Sequence, residues 1–200
     1  MKSNKPKLLL TGGTGFIGMN FILRLHNKYD ITALVRINSD TSKIESYCKI
    51  YRYENLDSIS QLFQKERFDG VVHLASMVPS TMQPVTDIKR LVDANIVLGM
   101  ILLKITAEYQ AFFVNASTFG SYCNSLSYRP ASLYAATKKA FEDIMLYYAL
   151  TSQAVFTNLL LFNVYGPNDT KYLFSLLDKI AKTNEELPMS DGSQIVDYSH

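Results

Sequence analysis

The chain has 200 residues, enough for one substantial hydrophobic core. Its 20 basic and 18 acidic side chains nearly cancel, so no basic stripe marks it for nucleic acid or for an anionic membrane surface. No apolar run is long enough to span a bilayer, and the polar start Met1–Lys7 lacks the pattern of a signal peptide. Cys48 and Cys123 are too few and too scattered for a disulfide framework or a zinc site. These features predict a cytoplasmic protein with buried, reduced thiols and no metal, nucleic-acid or membrane partner.

Lys7–Thr11 is a short apolar run that fits a buried parallel strand. It leads straight into Gly12-Gly13-Thr14-Gly15-Phe16-Ile17-Gly18. Between a strand and a helix, glycines at this spacing permit a tight turn and close approach of a pyrophosphate to the backbone. The helix Phe16–Asn27 follows, with Phe16, Ile17, Phe21, Ile22 and Leu25 at helical spacing. Its first amides, at Phe16, Ile17 and Gly18, are expected to face phosphates. The second strand, Asp30–Arg36, ends without an acid to grip an adenosine ribose diol; Arg36 stands there instead, with Ser39 and Lys43 nearby. An arginine at that place accommodates a 2′-phosphate, so NADP(H) is favoured and NAD(H) is the alternative.

Alternation continues along the chain. Ile50–Glu54 reads as a strand, Ser58–Lys65 as a helix, Gly70–Leu74 as a strand and Asp87–Glu108 as a long helix. Then come strand Ala111–Ala116, helix Leu133–Thr151, strand Phe156–Phe162 and helix Lys171–Lys182, while Glu185–His200 has no clear period. The pattern predicts an α/β fold, a doubly wound parallel sheet of Rossmann type. Ligands of such sheets lie beyond the carboxyl ends of the strands. Four motifs fall at those ends: Gly12–Gly18, His73-Leu74-Ala75-Ser76, Ser117-Thr118 and Asn163–Pro167.

Tyr134 and Lys138 share one face of the helix Leu133–Thr151. A phenol of reference pKa about 10 is a weak acid at neutral pH, and a neighbouring ammonium favours its ionised form. Such a pair can exchange a proton with a carbonyl or an alcohol beside a hydride carrier.

With these motifs assembled, the chain resembles the extended short-chain dehydrogenase/reductase family of nucleotide-sugar epimerases, dehydratases and reductases. The resemblance rests on Thr11–Gly18, His73-Leu74-Ala75, Asp93-Ala94-Asn95, Ser117-Thr118, Tyr134/Lys138 and Asn163–Pro167, and it covers essentially the whole chain. It implies that Tyr134 is the proton donor or acceptor, Lys138 its pKa partner and a ribose contact, and Thr118 a hydrogen-bond partner of the reacting oxygen. It further implies cofactor contacts from Gly12, Gly15, Phe16, Ile17, Gly18, Leu74, Ala75 and Asn95, and substrate contacts from Ser117 and Asn163. His73 is expected to pack at its strand end. By the same resemblance, residues 1–167 form the NAD(P)-binding domain and 168–200 the beginning of a sugar-nucleotide domain whose remainder is missing. The resemblance also implies a homodimer paired through Asp87–Glu108 and Leu133–Thr151 as a four-helix interface.

Departures from the family pattern narrow the reaction. Dehydratases follow the threonine of the fifth strand with an acid pair, whereas Thr118 precedes Phe119-Gly120, which move no protons. The short loop before Tyr134 and its Arg129-Pro130 resemble the CDP- or dTDP-4-keto-6-deoxyhexose 4-reductases. The expectation is NADPH-dependent reduction of a nucleoside-diphosphate 4-keto-6-deoxy sugar at C4. The alternatives are an NAD-dependent UDP-sugar 4-epimerase and a non-catalytic dinucleotide-binding protein.

Overall fold

Leu8, Leu9 and Leu10 are all buried, which a strand achieves only when both faces of its sheet are covered. In the computed structural model, which describes residues 5–78, 85–123, 125–169, 173–183, 186, 188–193 and 195–200, they form the centre of β1 (Lys7–Thr11). The elements that follow are α1 (Phe16–Leu25), β2 (Asp30–Arg36), β3 (Lys49–Tyr53), α2 (Asp57–Glu66) and β4 (Gly70–His73). A long helical run comes next, comprising α3 (Val85–Val92), a π-helical turn (Asp93–Val97) and α4 (Leu98–Tyr109). Then come β5 (Phe112–Thr118), a single 3-10 turn, α5 (Leu133–Thr151) and β6 (Val155–Leu161).

The six strands are ordered β3-β2-β1-β4-β5-β6. β1 runs parallel to both β2 and β4, pairing Leu10 with Ala33 on one side and with Val72 on the other. Alternate residues feed opposite cores. Leu8, Leu10, Ala33, Val35 and Val72 pack with Met19 and Ile22 of α1. Leu9, Leu34, Val71 and Phe113 pack with Phe63 of α2, Leu102 of α4 and Phe141 of α5. This is the doubly wound Rossmann arrangement that the alternation predicts.

Three local details differ from the sequence reading. β5 runs on to Thr118, so Ser117 and Thr118 belong to the strand itself. The helix expected over Asp87–Glu108 contains the π turn, which carries one extra residue in its ring and turns the buried Asn95 inward. The thiols are not both buried: Cys48 is half-buried but Cys123 is exposed. Cys123 lies in the segment after β5, with φ at +38°.

The chain divides into two compact units, Met1–Leu160 and Leu161–His200. In the second, β7 (Asn163–Val164) runs parallel to β8 (Tyr198–Ser199), and α6 spans Leu173–Thr183. Residues 171 and 172 of the expected helix lie outside the described residues. Tyr165 packs on Phe174 with ring centres 4.5 Å apart, and Phe174 on Tyr198 at 4.8 Å.

Candidate active site

The strand order reverses between β1 and β4, and the crevice beyond their carboxyl ends is where a doubly wound sheet takes its ligand. Gly12 opens it with φ at +72°, and a Cβ there would stand 2.7 Å from the Ala75 amide nitrogen. A Cβ on Gly18 would collide with the Gly12 carbonyl. The turn is therefore as tight as backbone allows. α1 then starts at Gly15, which has an extended conformation and offers no side-chain cap. An uncapped helix start above a glycine turn suits a diphosphate, so Gly12, Gly15, Phe16, Ile17 and Gly18 fit a dinucleotide.

Thr11 binds the ends of β1 and β4 together. Its hydroxyl accepts the Ala75 N–H (3.1 Å) and shares a hydrogen bond with His73 Nδ1 (2.8 Å). The Leu74 N–H reaches the Thr11 carbonyl (3.3 Å). His73 is fully buried between the rings of Phe113 and Phe141. Burial, with the Lys138 charge as a second cause, pushes its pKa down to about 3, so the ring stays neutral. It packs and orients, as expected, and thereby fixes Leu74 and Ala75 beside Gly12.

Asn95 secures the segment after β4. Its carboxamide oxygen accepts the Met77 N–H (2.7 Å), and its nitrogen donates to the Met77 carbonyl and to Thr137 Oγ1 (both 3.1 Å). Thr137 in turn donates to the Tyr134 carbonyl (2.7 Å). One buried amide thus links the β4 loop to the first turn of α5.

α5 is started by Ser132, whose Oγ accepts the Ala135 N–H (3.2 Å). Tyr134 is half-buried and Lys138, one turn on, is 2% exposed. Burial pulls the Lys138 ammonium down to about 8, against the opposing pull of Glu142. Glu142 continues the same helix face and accepts a hydrogen bond from the buried Ser117 hydroxyl at the end of β5. Lys139 stands 3.8 Å from the same carboxylate. Ser117 is therefore engaged inside the protein. Thr118 Oγ1 accepts the Gly120 N–H (3.2 Å), which leaves its own O–H to donate.

Arg36 is exposed at the end of β2, in register with Tyr53 of β3. Burial raises the Tyr53 phenol, and the Arg36 charge acts in the opposite direction. Asn163 lies in the second unit, where its side chain donates to the Asp197 carbonyl (3.1 Å).

The glycine turn, Leu74-Ala75, Asn95, Thr118, Tyr134 and Lys138 all belong to the first unit. Sequence reasoning gave no role to Glu142, Thr11 or Thr137. Glu142 had a legible signal, since it stands four residues after Lys138 on one helix face. The contacts of Thr11 and Thr137 cross the fold and left none. Among the described residues, no cluster of metal-ligating side chains exists and no helix is long and apolar enough to cross a membrane.

A family model described as the NAD dependent epimerase/dehydratase family matches residues 8–200. CDP-abequose synthase of Salmonella typhimurium is 28% identical over 97% of this chain and 66% of that protein. UDP-glucuronate 4-epimerase 1 of Arabidopsis thaliana is 29% identical over 83% of this chain and 44% of its own. Among solved structures, UDP-glucuronic acid 4-epimerase from Bacillus cereus, in complex with UDP-glucuronic acid and NAD, superposes with a TM-score of 0.81 at 25% identity. That match covers 96% of this chain and 68% of the neighbour. The chain spans 66% or less of the length of these two curated relatives.

Proposed function

The chain belongs to the NAD dependent epimerase/dehydratase family, and from that premise we propose that it serves the NADPH-dependent reduction of a nucleoside-diphosphate 4-keto-6-deoxy sugar at C4. The observation that carries the reading is Tyr134 one helical turn from a buried Lys138, in the same unit as a glycine cradle built for a dinucleotide. The nicotinamide cofactor, when bound, supplies the hydride.

The protein's own groups handle the oxygen. Tyr134 gives its proton to the C4 oxygen as that atom gains charge. The Lys138 ammonium, held in a desolvated position, stabilises the tyrosinate left behind. The Thr118 hydroxyl, steered by its bond from Gly120, donates to the same oxygen and fixes the carbonyl for attack. Gly12, Gly15, Phe16, Ile17 and Gly18 take the diphosphate of the cofactor, and Leu74 and Ala75 pack beside it. Asn95 acts on the cofactor through the Met77 segment that it holds. Arg36 takes the 2′-phosphate. Ser117 supports the site through Glu142, and Asn163 is proposed as a contact of the substrate diphosphate. Two chains pair through α4 and α5, a reading supported by the exposed Met100, Leu146, Tyr147 and Leu150.

The test is incubation with NADPH and a CDP- or dTDP-4-keto-6-deoxyhexose, following loss of the reduced-cofactor absorbance. The expected result is substrate-dependent oxidation that disappears in Tyr134→Phe; no oxidation in either protein sinks the reading. A second reading, UDP-sugar 4-epimerisation on bound NAD, is favoured by the solved neighbour that holds UDP-glucuronic acid and NAD. Purification with NAD bound, and conversion of a UDP-sugar without added cofactor, would select it. Dinucleotide binding with no turnover of either substrate class would select the non-catalytic alternative.

A further inference from the structure

We propose that Arg52 sets the cofactor preference of this site: from β3 its guanidinium holds the loop after β2 in the shape that offers Arg36 and Ser39 to a 2′-phosphate. The inference rests on the NADP(H) reading and deepens it.

Arg52 lies in register with Val35, one residue before the end of β2, and reaches across that end. Its Nη1 donates to the carbonyls of Ile37 and Ser39, both at 2.9 Å, with the Arg36 carbonyl at 3.5 Å. Its Nη2 donates to Thr41 Oγ1 (3.0 Å), and that hydroxyl donates onward to Glu45 Oε2 (3.2 Å). Thr41 is 5% exposed, so the far end of the loop is anchored in the protein. The loop is also closed on itself by the Ser39 N–H to the Arg36 carbonyl (3.0 Å).

Two consequences follow for an anion approaching this loop. A free loop would expose carbonyl oxygens to a phosphate and be repelled by it. Here the carbonyls of residues 36, 37 and 39 are gathered onto one guanidinium. Holding these carbonyls through Nη1 and Thr41 through Nη2 at the same time takes the two separate nitrogens of a planar fork, which the single ammonium nitrogen of a lysine lacks. The second consequence concerns Asp40, an acid within the loop. Hydrogen bonds from Ser42, including its N–H (3.0 Å), hold the Asp40 carboxyl below the usual range, with the charges of Lys43 and Arg52 as lesser causes. Asp40 stays ionised, and Lys43 and Arg52 place cationic charge beside it. The groups around the loop are Arg36, Lys43 and Arg52 against Asp40 and Glu45, with a net positive balance.

The experiment is calorimetric titration of the chain with 2′,5′-ADP and with 5′-AMP, which differ by the 2′-phosphate alone. Wild type is expected to prefer 2′,5′-ADP by about tenfold or more, as a charge-assisted contact requires. Arg52→Met should bring the two affinities to within about threefold by weakening 2′,5′-ADP, with 5′-AMP almost unchanged; Arg52→Lys should not restore the gap. Retained 5′-AMP binding reports that each variant is folded. Thr41→Val, which removes one tie and no charge, should narrow the preference to an intermediate value and serves as the test should Arg52→Met not fold. A wild-type preference surviving in Arg52→Met overturns the inference while leaving the NADP(H) reading intact. A preference lost in Arg52→Met but untouched in Thr41→Val overturns it too, by making Arg52 a direct phosphate ligand. Equal wild-type affinities overturn the NADP(H) reading and the inference with it.

Discussion

Lys138 concentrates the electrostatics of the site in one side chain. Its burial lowers the ammonium to about 8 from an ordinary 10.5, so between those values the unfolded chain binds more protons than the folded one. Stability contributed by this group therefore rises with pH across that interval, and below about pH 8 the folded protein carries the full cost of a buried cation. That cost is on the order of 3 kcal/mol. Lys138→Met should accordingly raise the melting temperature at pH 7 while reducing turnover by about 100-fold or more; a variant that is both inactive and less stable would contradict this. Activity should decline as pH passes about 8, because the tyrosinate loses its cation. Glu142 acts against desolvation at Lys138, so Glu142→Gln should move that decline to lower pH. The pH–rate profile checks the direction, and an unmoved limb would remove Glu142 from the titration.

At the scale of elements, a π turn does what a regular helix could not: it delivers Asn95 into the interior, to Met77 and to Thr137. Asn95→Ala leaves the Met77 backbone groups without their partner and should cost about 1–3 kcal/mol in urea unfolding, with faster amide exchange at Met77. Unchanged exchange there would mean that the segment is held by other contacts. Asn95 shows where sequence reading stops. The alternation of strands and helices was legible because buried strands leave apolar runs and helices leave their period. The glycine turn was legible because each glycine answers a local steric demand. A π turn leaves no periodic trace, and the bonds of Asn95 join residues far apart in sequence. Arg52 was hidden for the same reason. It reads as an ordinary polar position on β3, and only the register of β3 against β2 brings it to the loop after β2.

Across the whole molecule, the sheet order places the ends of β1 and β4 side by side, and the helical cover puts Tyr134 and Lys138 in the same unit as the glycine turn. The candidate residues were named from motifs along the chain, but the contacts among them through Thr11, Thr137 and Glu142 needed the fold. α5 also presents Leu146, Tyr147 and Leu150 to the exterior. If α4 and α5 pair two chains, Leu146→Glu should shift sedimentation from dimer to monomer at micromolar protein; wild type sedimenting as a monomer would dismiss that pairing. Family membership leaves the direction of hydride flow open between net reduction and recycling in place. Transfer from NADPH deuterated at the reactive C4 position, with mass spectrometry of the sugar product, separates the two most directly. Net reduction predicts one deuterium at the sugar C4 of the wild-type product and no product from Tyr134→Phe. Product free of deuterium, formed without consumption of added NADPH, would contradict the account.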